Sequence, residues 1–164
     1  MTRTALPALD QIPAVSNPAL DSFTENIGFT PNVIGIFTQN PIVFNAWATL
    51  FASLSKSLDM KTHDSTGLAV SEVNGCDDCP MVHSFDAELP AEEFTLPREG
   101  LSAEPKREAA IRFARRVIET RGKVSDAELK AVRAAGYTDV DVMEIIAVSL
   151  LFFTTNEDQR NFRS

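Results

Sequence analysis

"LAVSEVNGCDDCPMVHS", residues 68–84, contains both cysteines of the chain, Cys76 and Cys79, and one of its two histidines, His83. A small-apolar stretch leads into Asn74-Gly75, a pair that stops a helix. If a fresh helix begins at Cys76, Cys79 stands one turn further on the same face and His83 one turn beyond that. Pro80 fits only the first turn of such a helix, so it must begin close to Cys76. A helix N-terminus favours a thiolate through its free N–H groups and its dipole. The thiolate is the reactive form, and the spacing lets one thiol attack while the other resolves a disulfide. His83 is placed to accept or relay a proton.

Other chemistries fit the same residues. Buried cysteines are often plain core. Cys76, Cys79 and His83 are also good zinc ligands. A closed zinc site needs a fourth ligand, which His63 or Asp64 would have to supply because the chain has no further cysteine. Three ligands with an open position would make a catalytic zinc site.

The rest of the chain reads as helices. Asn40 caps and Pro41 opens a segment with apolar residues at Val43, Trp47, Leu50, Leu54 and Leu58. "EPKREAAIRFARRVIETRG" carries a stripe of Ile111, Phe113, Ala114, Val117 and Ile118 behind a charged face. "SDAELKAVRAAG" opens with a Ser125–Glu128 capping box, and "TDVDVMEIIAVSLLFFTTN" opens similarly with Thr138 and Asp141. Nothing reads as a strand. The expectation is an all-α single domain of about seven to eight helices over residues 18–156. An extended, proline-rich arm is expected over 1–17, a polar tail over 157–164, and a long loop over 86–104. Trp47 and the phenylalanines belong to helical stripes and read as core.

The chain has 164 residues and a net charge of −8. That charge argues against nucleic acid and against anionic membrane surfaces. The N-terminus has no apolar h-region, and the longest apolar run, near 145–153, is too short to span a bilayer. A reducing cytoplasm is the expected compartment, where a close cysteine pair is more often catalytic or metal-binding than a static staple.

The cysteine motif, with its small-apolar lead "GLAVS", Asn74-Gly75, Cys76-x-x-Cys79 and His83, resembles the signature of the AhpD-like alkylhydroperoxidases of the carboxymuconolactone decarboxylase superfamily. Residues 105–156 resemble the downstream half of its peroxidase-related branch. The resemblance implies an AhpD-like helical bundle, a homo-oligomer (trimer or hexamer) and no cofactor. It implies a peroxidase in which Cys79 attacks the hydroperoxide, Cys76 relays a proton and resolves the disulfide, and His83 belongs to the relay. An unidentified thiol or dithiol would be the electron donor. The relay's glutamate falls on Asp64, which is one methylene shorter. Asp77 and Asp78 put a carboxylate beside each sulfur and disfavour a second negative charge. A weak peroxidase is therefore expected, with a zinc-binding or inactive module of the same fold as alternatives. Asp64 has a plainer reading too, as a solvated acid in the first turn of its helix.

Overall fold

The computed structural model describes residues 7–28, 30–76 and 89–162. Among the described residues there are eight α-helices and no strand. They are α1 (Asn17–Ile27), α2 (Asn32–Phe37), α3 (Pro41–Leu54), α4 (Met60–Val73), α5 (Leu96–Glu99), α6 (Pro105–Glu119), α7 (Asp126–Ala134) and α8 (Asp139–Phe162). The all-α expectation holds.

Local chemistry sets most of the boundaries. Asn40 Oδ1 accepts from the N–H groups of Ile42 and Val43 at 3.1 and 3.3 Å, and Pro41 occupies the first turn. Asp59 caps α4 by accepting from Thr62 N at 3.0 Å. The Ser125–Glu128 capping box is closed in both directions. At the start of α8, Thr138 N–H and hydroxyl both reach Asp141 Oδ2, at 2.7 and 2.8 Å. Each such cap satisfies helix-end donors that would otherwise stay bare, and is worth about 1 kcal/mol.

Three of the expected stretches carry more local structure among the described residues than their composition predicts. The proline-rich arm is not extended throughout. Leu9–Gln11 and Ala14–Ser16 are single 3-10 turns, and α1 begins at Asn17. Buried Ser16 donates to Thr38 O at 3.1 Å, which ties this stretch to the end of α2. The segment 86–104 is not one loop: it includes a 3-10 turn at Ala91–Glu93 and the short helix α5. The backbone of the polar tail continues α8 as far as Phe162.

Helix α4 is the centre of the bundle and packs against α5, α6 and α8. Its residues 62–71 are all buried. Small side chains on both sides (Ser65, Gly67 and Ala69 on α4, Ala110 and Ala114 on α6) let neighbouring helix axes approach closely. Two apolar cores flank it. One is aromatic and lies among α1, α2 and α3, where Trp47 contacts Phe23, Phe37, Phe44 and Phe51 with ring centroids 5.3–6.3 Å apart. The other is largely aliphatic and joins α6, α7 and α8 to Val70 of α4. The charged face of α6 is largely solvated, as its pattern predicts. Arg107 is the exception. It is buried and pairs with Glu104 at 3.1 Å and Glu93 at 3.5 Å.

Candidate functional site

The C-terminal end of α4 delivers Cys76. The Gly75 N–H bonds Glu72 O at 3.0 Å and the Cys76 N–H bonds Ser71 O at 2.9 Å. These two bonds form a Schellman closure, which requires a left-handed residue between helix and exit. Gly75 supplies it, with φ of +64°. The cysteine backbone is thus fixed by the helix it leaves. Cys76 itself is buried, and no cysteine among the described residues is a free thiol.

Polar groups gather at this end. Ser71 donates to Asn156 Oδ1 at 3.3 Å, which links α4 to α8. Asn74 is 7% exposed, and its amide Nδ2 is buried without a partner. Arg98 of α5 pairs with Glu72 at 2.6 Å on the surface, a contact worth well under about 1 kcal/mol.

The N-terminal half of α4 carries a second polar group. His63 is 3% exposed and Asp64 7% exposed. The His63 Nδ1 lies 3.5 Å from Asp64 Oδ1, at the outer limit of a hydrogen bond. The imidazole is wedged edge-on between Phe51 and Phe152, with centroids 6.2 and 5.1 Å away. His63 Nε2, Asp64 Oδ2, Ser65 Oγ and Thr66 Oγ1 are buried without hydrogen-bond partners. Both His63 and Asp64 face a half-open cleft of about 920 Å³ between α1, α3 and α4. Burial pushes the Tyr137 phenol above its ordinary range, and the Thr62 side chain partly offsets that.

These positions revise the expectations. Asp64 is the fifth residue of α4 and is buried, so it is not a solvated first-turn acid. It also lies well before the capped end of the helix that delivers Cys76. At about 1.5 Å rise per residue, Asp64 and Val73 are separated by about 14 Å along the helix. Asp64 therefore makes no direct hydrogen bond to Cys76. For the same reason neither His63 nor Asp64 shares a zinc ion with Cys76, since zinc ligands lie within about 2.3 Å of the metal. No group of three metal-ligating side chains is present among the described residues. Cys79 and His83, with Asp77, Asp78 and Pro80, lie outside the described residues, as does the helix expected to begin at Cys76.

The sequence reading missed the extent of burial around His63 and Asp64. The available signal was the polar run "THDST" (62–66) directly ahead of an apolar stretch, inside a segment capped by Asp59.

Solved structures with the same arrangement of helices include an AhpD-core peroxidase-related protein from Ralstonia eutropha JMP134. It has a TM-score of 0.82 and 23% identity, and the match covers 99% of this chain and 91% of that one. This chain has the AhpD-like fold. A peroxidase-related protein from Silicibacter sp. TM1040 matches with a TM-score of 0.78 at 21% identity, over 98% and 89% of the two chains. The debrominase Bmp8 matches with a TM-score of 0.83 at 18% identity, over 99% and 90%. A cysteine-to-alanine form of Bmp8 in complex with 2,3,4-tribromopyrrole matches equally well, at 17% identity over 99% and 91%. No family model matches the sequence, and no curated protein does. No helix among the described residues is long and apolar enough to cross a membrane.

Proposed function

We propose that the protein is a thiol-dependent oxidoreductase that reduces hydroperoxides through Cys76 and Cys79. One observation carries the reading: Cys76 is buried and held at the capped end of the central helix, and the chain's other cysteine follows three residues on in the sequence. In the forward reaction the Cys79 thiolate attacks the terminal oxygen of ROOH. The O–O bond breaks, a proton goes to the departing alkoxide, and ROH leaves. Cys79 is now a sulfenic acid. The Cys76 sulfur displaces its hydroxyl as water and the disulfide forms. An external dithiol then returns two electrons and two protons. In this scheme Asp64 serves the relay through His83 and not through Cys76, because about 14 Å of helix lies between Asp64 and the start of the cap.

Thiol titration before and after one equivalent of cumene hydroperoxide tests the reading. Two thiols per chain should be lost and then recovered with dithiothreitol. Cys79→Ser should abolish peroxide consumption. Cys76→Ser should permit one turnover and leave a trappable sulfenic acid. Thiols that survive an excess of peroxide would overturn the proposal. Because one neighbour in fold is a debrominase, 2,3,4-tribromopyrrole with dithiothreitol belongs in the same assay. Bromide release without peroxide consumption would replace the hydroperoxide by an aryl halide as electron acceptor.

A further inference from the structure

The end of α4 that leads to Cys76 is more polar than packing alone requires. Ser71 and Asn156 are fully buried, and Asn74 is nearly so. Ser71 and Asn156 meet where α4 packs on α8, beside the apolar contacts of Val70, Val148 and Phe152. Apolar side chains of similar volume would fill this space without taking polar groups out of water.

Ser71 makes two bonds here. Its hydroxyl donates to Asn156 Oδ1 at 3.3 Å. Its carbonyl accepts the Cys76 N–H at 2.9 Å. One residue thus joins the turn that carries the cysteine to α8, the longest helix of the described residues. A helix end held only by its own backbone bonds frays readily. A buried side-chain bond to a second helix opposes that fraying. The effect differs between the two redox forms of a cysteine pair. A disulfide requires its Cα atoms to lie within a narrow separation, roughly 4.4–6.8 Å. Two thiols make no such demand on the backbone.

We infer that Asn156 is a positioning residue for Cys76: acting through Ser71, it anchors the cysteine turn to α8 and so favours the Cys76–Cys79 disulfide over the dithiol. The inference rests on the redox reading and adds to it a residue from the far end of the chain.

The test is the redox equilibrium of the full-length protein with reduced and oxidised dithiothreitol, read by maleimide trapping and mass spectrometry. In the exchange, two protein thiols pass two electrons and two protons to the cyclic disulfide of the reagent, which becomes its dithiol. Ser71→Ala removes the hydroxyl and keeps the carbonyl. It should shift the equilibrium about fivefold towards the protein dithiol, the effect of one hydrogen bond. Asn156→Leu, similar in shape, should give the same shift. The double variant should stay within about twofold of either single one, because both remove one interaction. Ser149→Ala is the control. That hydroxyl is also buried but bonds Ile145 O within α8, at 2.7 Å, and its loss should leave the equilibrium within about twofold of the parent. A merely structural bond would support both redox forms equally. The variants would then lower the unfolding midpoint and leave the redox equilibrium unmoved. That result, or an equal shift in Ser149→Ala, would overturn the inference. A parent that forms no disulfide would sink the redox reading instead, and amide hydrogen exchange then decides the anchor. In Ser71→Ala the Cys76 N–H should exchange about fivefold faster while Leu68 and Ala69 keep their rates. A Cys76 rate equal to that of the parent would mean that α8 does not anchor the turn.

Discussion

Helices α4 and α8 contradict their compositions. The first half of α4 reads "MKTHDST" and is polar, yet its residues 62–66 are buried on every side. Helix α8 carries "IIAVSLLFF", yet Val140, Met143, Leu150 and Phe153 are between 37% and 63% exposed. A bundle stabilised by burial alone would exchange these surfaces. Polar groups buried without partners mark a place where stability is given up to hold chemistry. An apolar stripe in solvent marks a place where another surface is expected to lie.

The contrast can be broken first through the apolar part of α4. Leu68 is fully buried, so Leu68→Ala should cost about 2–5 kcal/mol in urea unfolding. A loss below about 1 kcal/mol would mean that α4 is not the centre of the core. Gly75→Ala should cost about 1–2 kcal/mol, the penalty for a side chain in the left-handed region. No atom lies within 4 Å of the Cβ it would add, so the penalty is purely conformational. The same change should slow disulfide formation, because the turn fixes the Cys76 backbone.

Ser65→Ala goes the other way. It removes a buried hydroxyl that has no partner and should raise stability by up to about 1 kcal/mol. A clear loss would show that the hydroxyl is satisfied in solution. For α8, light scattering at micromolar concentration is expected to give a multiple of the 18.0 kDa chain mass, in line with a homo-oligomer. Combining Met143→Glu with Leu150→Glu should reduce the mass to a monomer and change its unfolding free energy by less than about 0.5 kcal/mol, as is usual for surface sites.

The smallest expected effect lies far from both helices' cores, on the surface at the start of α7. The Ser125 N–H and, after it, the Arg116 side chain hold the Glu128 carboxyl down at about 2, against an ordinary value of 4.5. A carboxyl depressed by folding stabilises the fold at pH above its unfolded value. That contribution fades as pH falls from about 4.5 towards 2. A carbon-detected titration of Glu128 that gave an unshifted midpoint would remove the capping box from the account.

The helix ends were legible because their chemistry is local. Asn40-Pro41, Ser125–Glu128 and Thr138–Asp141 each use groups within three residues of one another. The apolar stripe of α6 was legible from its period, whereas that of α3 was legible only in part: Trp47 is buried as expected, but Val43 and Leu50 are exposed and Phe44 is the fully buried residue. The fate of "THDST" was not, since burial depends on what packs around a helix and no period in the segment encodes that. Helix α5 has only four residues, too few for a repeat to show. The exposed stripe of α8 hid among equally apolar neighbours, where sequence alone does not say which face meets the core. The cysteine motif was legible as chemistry, and the structure adds the cap that positions Cys76 and the length of helix, about 14 Å by its rise, that lies between Asp64 and that cap.

The two apolar cores also bear on cooperativity. The lone tryptophan sits in the aromatic core, so its emission reports that half of the molecule, whereas circular dichroism reports all the helices. Two shared elements connect the halves. Leu54 packs against both cores. Adjacent residues of α8 divide between them, Leu151 entering the aromatic core and Phe152 the aliphatic one. Loosening either core would strip contacts from the helix that supports the other. Unfolding followed by emission and by circular dichroism should therefore trace a single transition with one midpoint, the behaviour of one cooperative unit and not of two half-domains.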